Sequence, residues 1–113
     1  MLVTMKEVLA YAKDHQCAVG AFNTPTLENV VAVLNAASKR NVPVILMHAE
    51  LHEPIAPLEL IGPLMVFMAK HASIPVCVHL DHGEHLEYIQ KALELTGGNR
   101  SKTAEMLKIS RTS

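Results

Sequence analysis

An α/β fold on three parallel strands is predicted by this sequence, and three observations predict it. Short apolar or β-branched runs alternate with longer segments of helical periodicity, three times in succession, and that order calls for parallel strands joined by right-handed crossovers. At 113 residues and 50% hydrophobic, the chain is the size of one domain and can fill a core. Polar and ionisable residues gather where each strand run ends, which is where parallel α/β folds collect their chemistry.

The elements follow in order. "TMKEVLAYAKDHQ" spaces Met5, Val8, Leu9 and Ala12 as one helical face, with Thr4 placed to cap and Glu7 three residues on. "CAVGAF" is a compact apolar run read as a strand near 17–22. "TPTLENVVAVLNAASKRN" offers Thr24 or Thr26 as cap and sets Leu27, Val30, Val31 and Leu34 on one face. "VPVILMHA" is continuously apolar, as a strand covered on both faces should be, and predicts a strand near 43–48. "PLELIGPLMVFMAKHAS" resumes helical spacing despite Pro63, "IPVCVHLD" predicts a strand near 75–80, and "EHLEYIQKALEL" a helix turning Leu86, Ile89, Ala92 and Leu93 inward.

Composition narrows the classes. The longest apolar runs are too short, or too interrupted by Pro and Gly, to span a bilayer. The N-terminus lacks the basic, apolar and small-residue succession of a signal peptide, so a cytoplasmic location without membrane contact is expected. Cys17 and Cys77 sit in apolar runs and read as reduced, buried thiols. Charge divides the chain: residues 1–95 hold six Lys/Arg against ten Asp/Glu, a net of −4, whereas 96–113 hold four against one, a net of +3.

The strand ends carry Asn23, then His48, Glu50 and His52, then His79, Asp81, His82 and His85. Period-two alternation puts Cys77, His79 and Asp81 on one face, with His82 just beyond as the chain turns at Gly83. Neutral imidazole suits zinc, and a neighbouring carboxylate can orient it or carry a proton. On spacing alone, a solvated Asp–His turn explains the same residues. His15 and His71 fall near helix ends, most of the six Met at core positions, and the aromatic residues form no stacking platform; none is given a function.

"YAKDHQCAVGAFN", "NVPVILM" and above all "VHLDHG" stand in the order and spacing of the class II, metal-dependent ketose-bisphosphate aldolases, whose N-terminal part residues 1–95 resemble. The resemblance implies a (β/α) barrel of the TIM type, represented here by three strands, and reversible cleavage of a ketose bisphosphate into dihydroxyacetone phosphate and an aldehyde. It implies Asp81 as proton donor, His82 as a zinc ligand, Asn23 as a substrate contact and a sugar phosphate as substrate. Ala49, beside His48 and Glu50, stands where the family usually has Ser or Thr. A catalytic zinc takes about three protein ligands, so His82 would have to recruit His48, His52, His79 or His85. The family's other zinc histidines and phosphate loops belong to later strands, and the expectation is a fragment with little or no activity alone.

After "KALEL" the sequence changes character. "ALELTGGNRSKTAEMLKIS" resembles the Fis-like helix-turn-helix of enhancer-binding activators, giving an expected division into an aldolase-like part, 1–95, and a truncated helix-turn-helix tail, 96–113, that shares helix 84–95. Gly97 and Gly98 can end a helix, Asn99 or Ser101 can cap the next, and Ser110 a third. That third helix would read DNA, and only Arg111, Thr112 and Ser113 of it are present. A polar, basic hairpin that solvates the end of the domain is the plainer account of the tail. The alternative function is therefore a DNA-binding module, with weak, non-specific DNA contact at most. Exposed sheet edges point to self-association.

Overall fold

The computed structural model describes residues 1–95, so the helix-turn-helix reading of the tail lies outside the described residues. Helix α1 (Met5–Asp14) starts at a complete capping box: Thr4 Oγ1 accepts from Glu7 N–H, and the Glu7 carboxylate accepts from Thr4 N–H at 2.6 Å. Strand β1 (Ala21–Asn23) follows, then helix α2 (Leu27–Arg40), which is capped by Thr26 rather than Thr24. The chain leaves α2 through Asn41 in the left-handed conformation, φ 52°, which asparagine tolerates better than most residues. Strand β2 (Val44–Ala49), a 3₁₀ turn (Glu50–His52), helix α3 (Leu58–His71), strand β3 (Val76–His82) and helix α4 (Leu86–Leu95) complete the order.

The three strands form one sheet in the order β1-β2-β3, all parallel. This is the expected architecture, with two shifts. β1 is only three residues long, four positions late at its start, because residues 17–20 make no regular ladder. β3 runs two residues past expectation, so Asp81 and His82 belong to the strand itself.

Each face of the sheet has its own apolar cluster. Val44, Leu46 and Val76 meet Val30 and Leu34 of α2 and Ile61, Met65 and Ala69 of α3 on one face, and Ile45 and Cys77 meet Val8 of α1 on the other. The Cys77 thiol is buried as expected, whereas Cys17 is exposed just past the end of α1; no disulfide joins them. α4 departs from its expected inner face: Tyr88 is its buried residue and Leu86 is 59% exposed. Tyr88 is turned inward by polar partners beneath it, which outweigh the apolar pattern.

Residues 1–3 partly cover the outer edge of β3, with Val76 N–H donating to Met1 C=O and Val3 N–H to Val76 C=O. Beside β1 an apolar groove of about 430 Å³ runs between Phe22, Val33, Ala36 and Val44. Among the described residues no helix is long and apolar enough to cross a membrane.

Candidate active site at the strand ends

The register assembles a row. Asn23 pairs with Met47 and Met47 with His79, so the three lie side by side across the sheet. Paired residues of parallel strands point the same way, and Met47 packs against the Ile45–Cys77 cluster. Neighbouring strands are about 4.8 Å apart, which sets Asn23 and His79 roughly 10 Å from each other along the row. Burial, ahead of the charges of Asp81 and His82, lowers the pKa of His79 and favours its neutral form.

Past this row the ladder slips. His48 pairs with Leu80 but Ala49 with His82, leaving Asp81 as the extra residue on β3. Bulges of this kind re-aim side chains next to functional sites. Simple alternation would put His82 on the opposite face from His79; the slip sets it beside Ala49 and so returns it to the face of His79. Asp81 Oδ2 then lies 3.4 Å from His82 Nε2, with the imidazole 77% and the carboxylate 33% exposed. The pair is open to solvent and to a substrate. Gly83 follows because the chain must approach α4 closely: a Cβ there would come within 2.7 Å of Ile89.

The loop after this pair is held by Glu50. Its carboxylate accepts from Glu84 N–H at 2.8 Å and from His85 Nδ1 at 3.1 Å. Burial works to raise the Glu50 pKa, but the Glu84 N–H and the His85 imidazole outweigh it and hold the group below its ordinary value. Glu50, Glu84 and His85 bring three possible ligand atoms within 4.8 Å of one another, so a cation could be held there. His82 belongs to no three-ligand cluster among the described residues.

His48 and His52 do not join His82. His48 points to the helix layer, where its Nε2 lies 2.8 Å from the Tyr88 hydroxyl, which in turn donates to Glu53 at 2.7 Å. Glu53 also accepts from Leu58 N–H at the start of α3. This chain of contacts was invisible in the sequence, because its three members stand up to 40 positions apart. Glu84, also missed, reaches Glu50 through its backbone.

A family model for class II fructose-bisphosphate aldolase matches residues 3–112. The chain is 42% identical over 93 residues to a fructose-bisphosphate aldolase of Thermus caldophilus, covering 82% of this chain and 30% of that protein. It is 33% identical over 95 residues to one of Giardia intestinalis, covering 83% and 29%. In structure it is similar to the YdjI aldolase of Escherichia coli K12, with TM-score 0.79 and 29% identity over 84% of this chain and 37% of the other. The chain thus spans about a third or less of the length of these curated relatives.

Proposed function

The chain belongs to the class II fructose-bisphosphate aldolase family, and from that premise we propose that its strand-end rim is part of a site for reversible aldol cleavage of a sugar bisphosphate. The observation that carries the reading is the slip in β3, which brings His82 onto the face of His79 and sets Asp81 beside it at an open rim. In the cleavage direction the Asp81 carboxylate takes the proton of the substrate hydroxyl, the carbon–carbon bond breaks, and its electron pair passes into the enediolate of dihydroxyacetone phosphate. In condensation Asp81 returns that proton to the new alkoxide. Asn23, in the row leading to His79, donates a hydrogen bond to the substrate.

Zinc, when bound, would act as Lewis acid on the ketone carbonyl. His82 supplies one imidazole toward it, but a catalytic zinc takes about three protein ligands and no second described nitrogen or carboxylate groups with His82 into such a set. The described residues therefore do not complete a zinc shell. The 113-residue chain assayed alone with added zinc is expected to give little or no dihydroxyacetone phosphate from fructose 1,6-bisphosphate. Turnover at ordinary enzymatic rates, abolished in Asp81→Ala, would overturn that expectation while supporting the residue's role.

We propose further that residues 96–113 form a separate, Fis-like tail, a division supported by the change in charge from −4 to +3. A family match that continues to residue 112 favours the aldolase reading for the chain as a whole. Labelled duplexes are expected to bind weakly, without sequence preference, and to dissociate at physiological salt; specific binding that persists there would favour the tail as a DNA module. The open edge of β1 and its apolar groove support self-association, which sedimentation at rising protein concentration would register as a growing mean mass.

A further inference from the structure

Three polar atoms on the helix-covered side of the sheet are buried without a hydrogen-bond partner among the described residues: Thr24 Oγ1, His48 Nδ1 and His52 Nδ1. Thr24 is fully buried and His48 is 3% exposed. Thr24 N–H donates to Met47 C=O at 3.1 Å, which continues the β1–β2 ladder one step beyond Asn23 and sets Thr24 across from His48. The His48 and His52 rings are 6.1 Å apart between centres. The three residues that carry the orphan atoms thus belong to one neighbourhood, by the turn that leads from β2 to α3.

The hydrogen-bond chain fixes the state of His48. The Glu53 carboxylate only accepts, so the single proton of the Tyr88 hydroxyl is committed to it at 2.7 Å. The Tyr88 oxygen must then accept from His48 Nε2–H at 2.8 Å. With its proton on Nε2, a neutral imidazole carries its lone pair on Nδ1. Burial, followed by the nearby His52, lowers the His48 pKa and favours this neutral form. A buried lone pair is therefore presented by a ring that a carboxylate orients through a tyrosine. Metal-ligating histidines are oriented in this way, with the distal ring N–H given to a polar partner.

We propose that His48 Nδ1 and His52 Nδ1, with Thr24 Oγ1 beside them, form a buried site for one late first-row divalent cation, zinc being the natural probe. Imidazole ligands suit these ions. With zinc–nitrogen bonds of about 2.0–2.1 Å, an ion in the ring plane lies about 3.2 Å from each ring centre, so two rings sharing it at the tetrahedral angle stand about 5 Å apart. The observed 6.1 Å therefore requires His52 to close on His48 by about 1 Å when the ion binds. Glu53, one tyrosine away, supplies compensating charge that is felt at His48, and the half-buried His52 in the 3₁₀ turn gives the way in. The site lies on the opposite face from His79 and His82, and it does not rest on the aldolase reading.

The test titrates zinc alone into the full 113-residue chain by calorimetry, in a His82→Ala background that removes the rim imidazole. One-to-one zinc binding is expected to persist in that background and to weaken at least tenfold in His52→Ala. Tyr88→Phe, which removes only the hydroxyl that orients His48, is expected to weaken it about 10- to 100-fold. These two variants keep the buried His48 ring in place, so the result does not hang on whether His48→Ala folds. Nitrogen-15 NMR of the loaded protein should move the Nδ1 resonances of His48 and His52 and leave that of His85 unchanged. Loss of all binding in His82→Ala would overturn the proposal. So would zinc affinity indifferent to His52→Ala and Tyr88→Phe, or a shift at His85 instead, which would place the ion on Glu50, Glu84 and His85.

Discussion

Met65→Ala is expected to destabilise the domain by about 2–5 kcal/mol. Met65 is fully buried on α3, in the cluster that joins α2 and α3 to the face carrying Val44, Leu46 and Val76. Truncation removes buried apolar atoms and leaves a cavity whose walls are held by two helices and a sheet, so collapse is limited. Total stabilities of small domains are about 5–15 kcal/mol, so the loss is a large fraction of what holds the fold. Urea titration should show a lower midpoint with an unchanged slope. Leu60→Ala on the same helix, at a side chain 73% exposed, serves as control and should change the midpoint little. Equal losses in both variants would mean that α3 does not bury the face described.

The element order was legible in the sequence because it rests on local signals. Apolar runs and helical spacing report which way side chains must face, and Thr4 and Glu7 announce a capping box by type and separation alone. What was not legible depends on pairing. The slip between His48 and Ala49 has no signature in either strand taken alone, yet it decides which face His82 occupies. Likewise Leu86 fits an apolar stripe and is exposed, while Tyr88 breaks the stripe and is buried, because its hydroxyl finds Glu53 and His48 from other elements. Of the candidate site, the Asp81–His82 pair is adjacent in sequence and legible there, whereas Asn23 follows only from the resemblance. The grip of Glu50 on Glu84 and His85 joins two loops more than 30 residues apart, a distance over which residue type carries no information about contact.

The same buried contacts make the domain sensitive to acid and to the loss of one oxygen atom. Tyr88→Phe is expected to cost about 1–3 kcal/mol, because the buried His48 Nε2–H is left without an acceptor while the ring's apolar contacts are kept. Glu53 keeps the Leu58 N–H in that variant, so its penalty is smaller than that of His48. The pH dependence has a definite sign. Burial lowers the pKa of His48 and of His79 in the folded protein, whereas an unfolded histidine titrates near 6.5. Above that value both states are neutral and stability does not respond. As pH falls below about 6.5 the unfolded chain takes up protons that the folded protein refuses, and stability is lost until the folded pKa values are reached. One proton contributes a slope of at most about 1.4 kcal/mol per pH unit. Urea midpoints should therefore drop between pH 7.5 and 5.5. Replacing either histidine by glutamine should flatten the decline, since each removes one of the two titrating groups. A midpoint that stays level or rises over that interval would show that neither imidazole is held neutral by the fold, and His48 Nδ1 would then carry a proton where a lone pair is assigned.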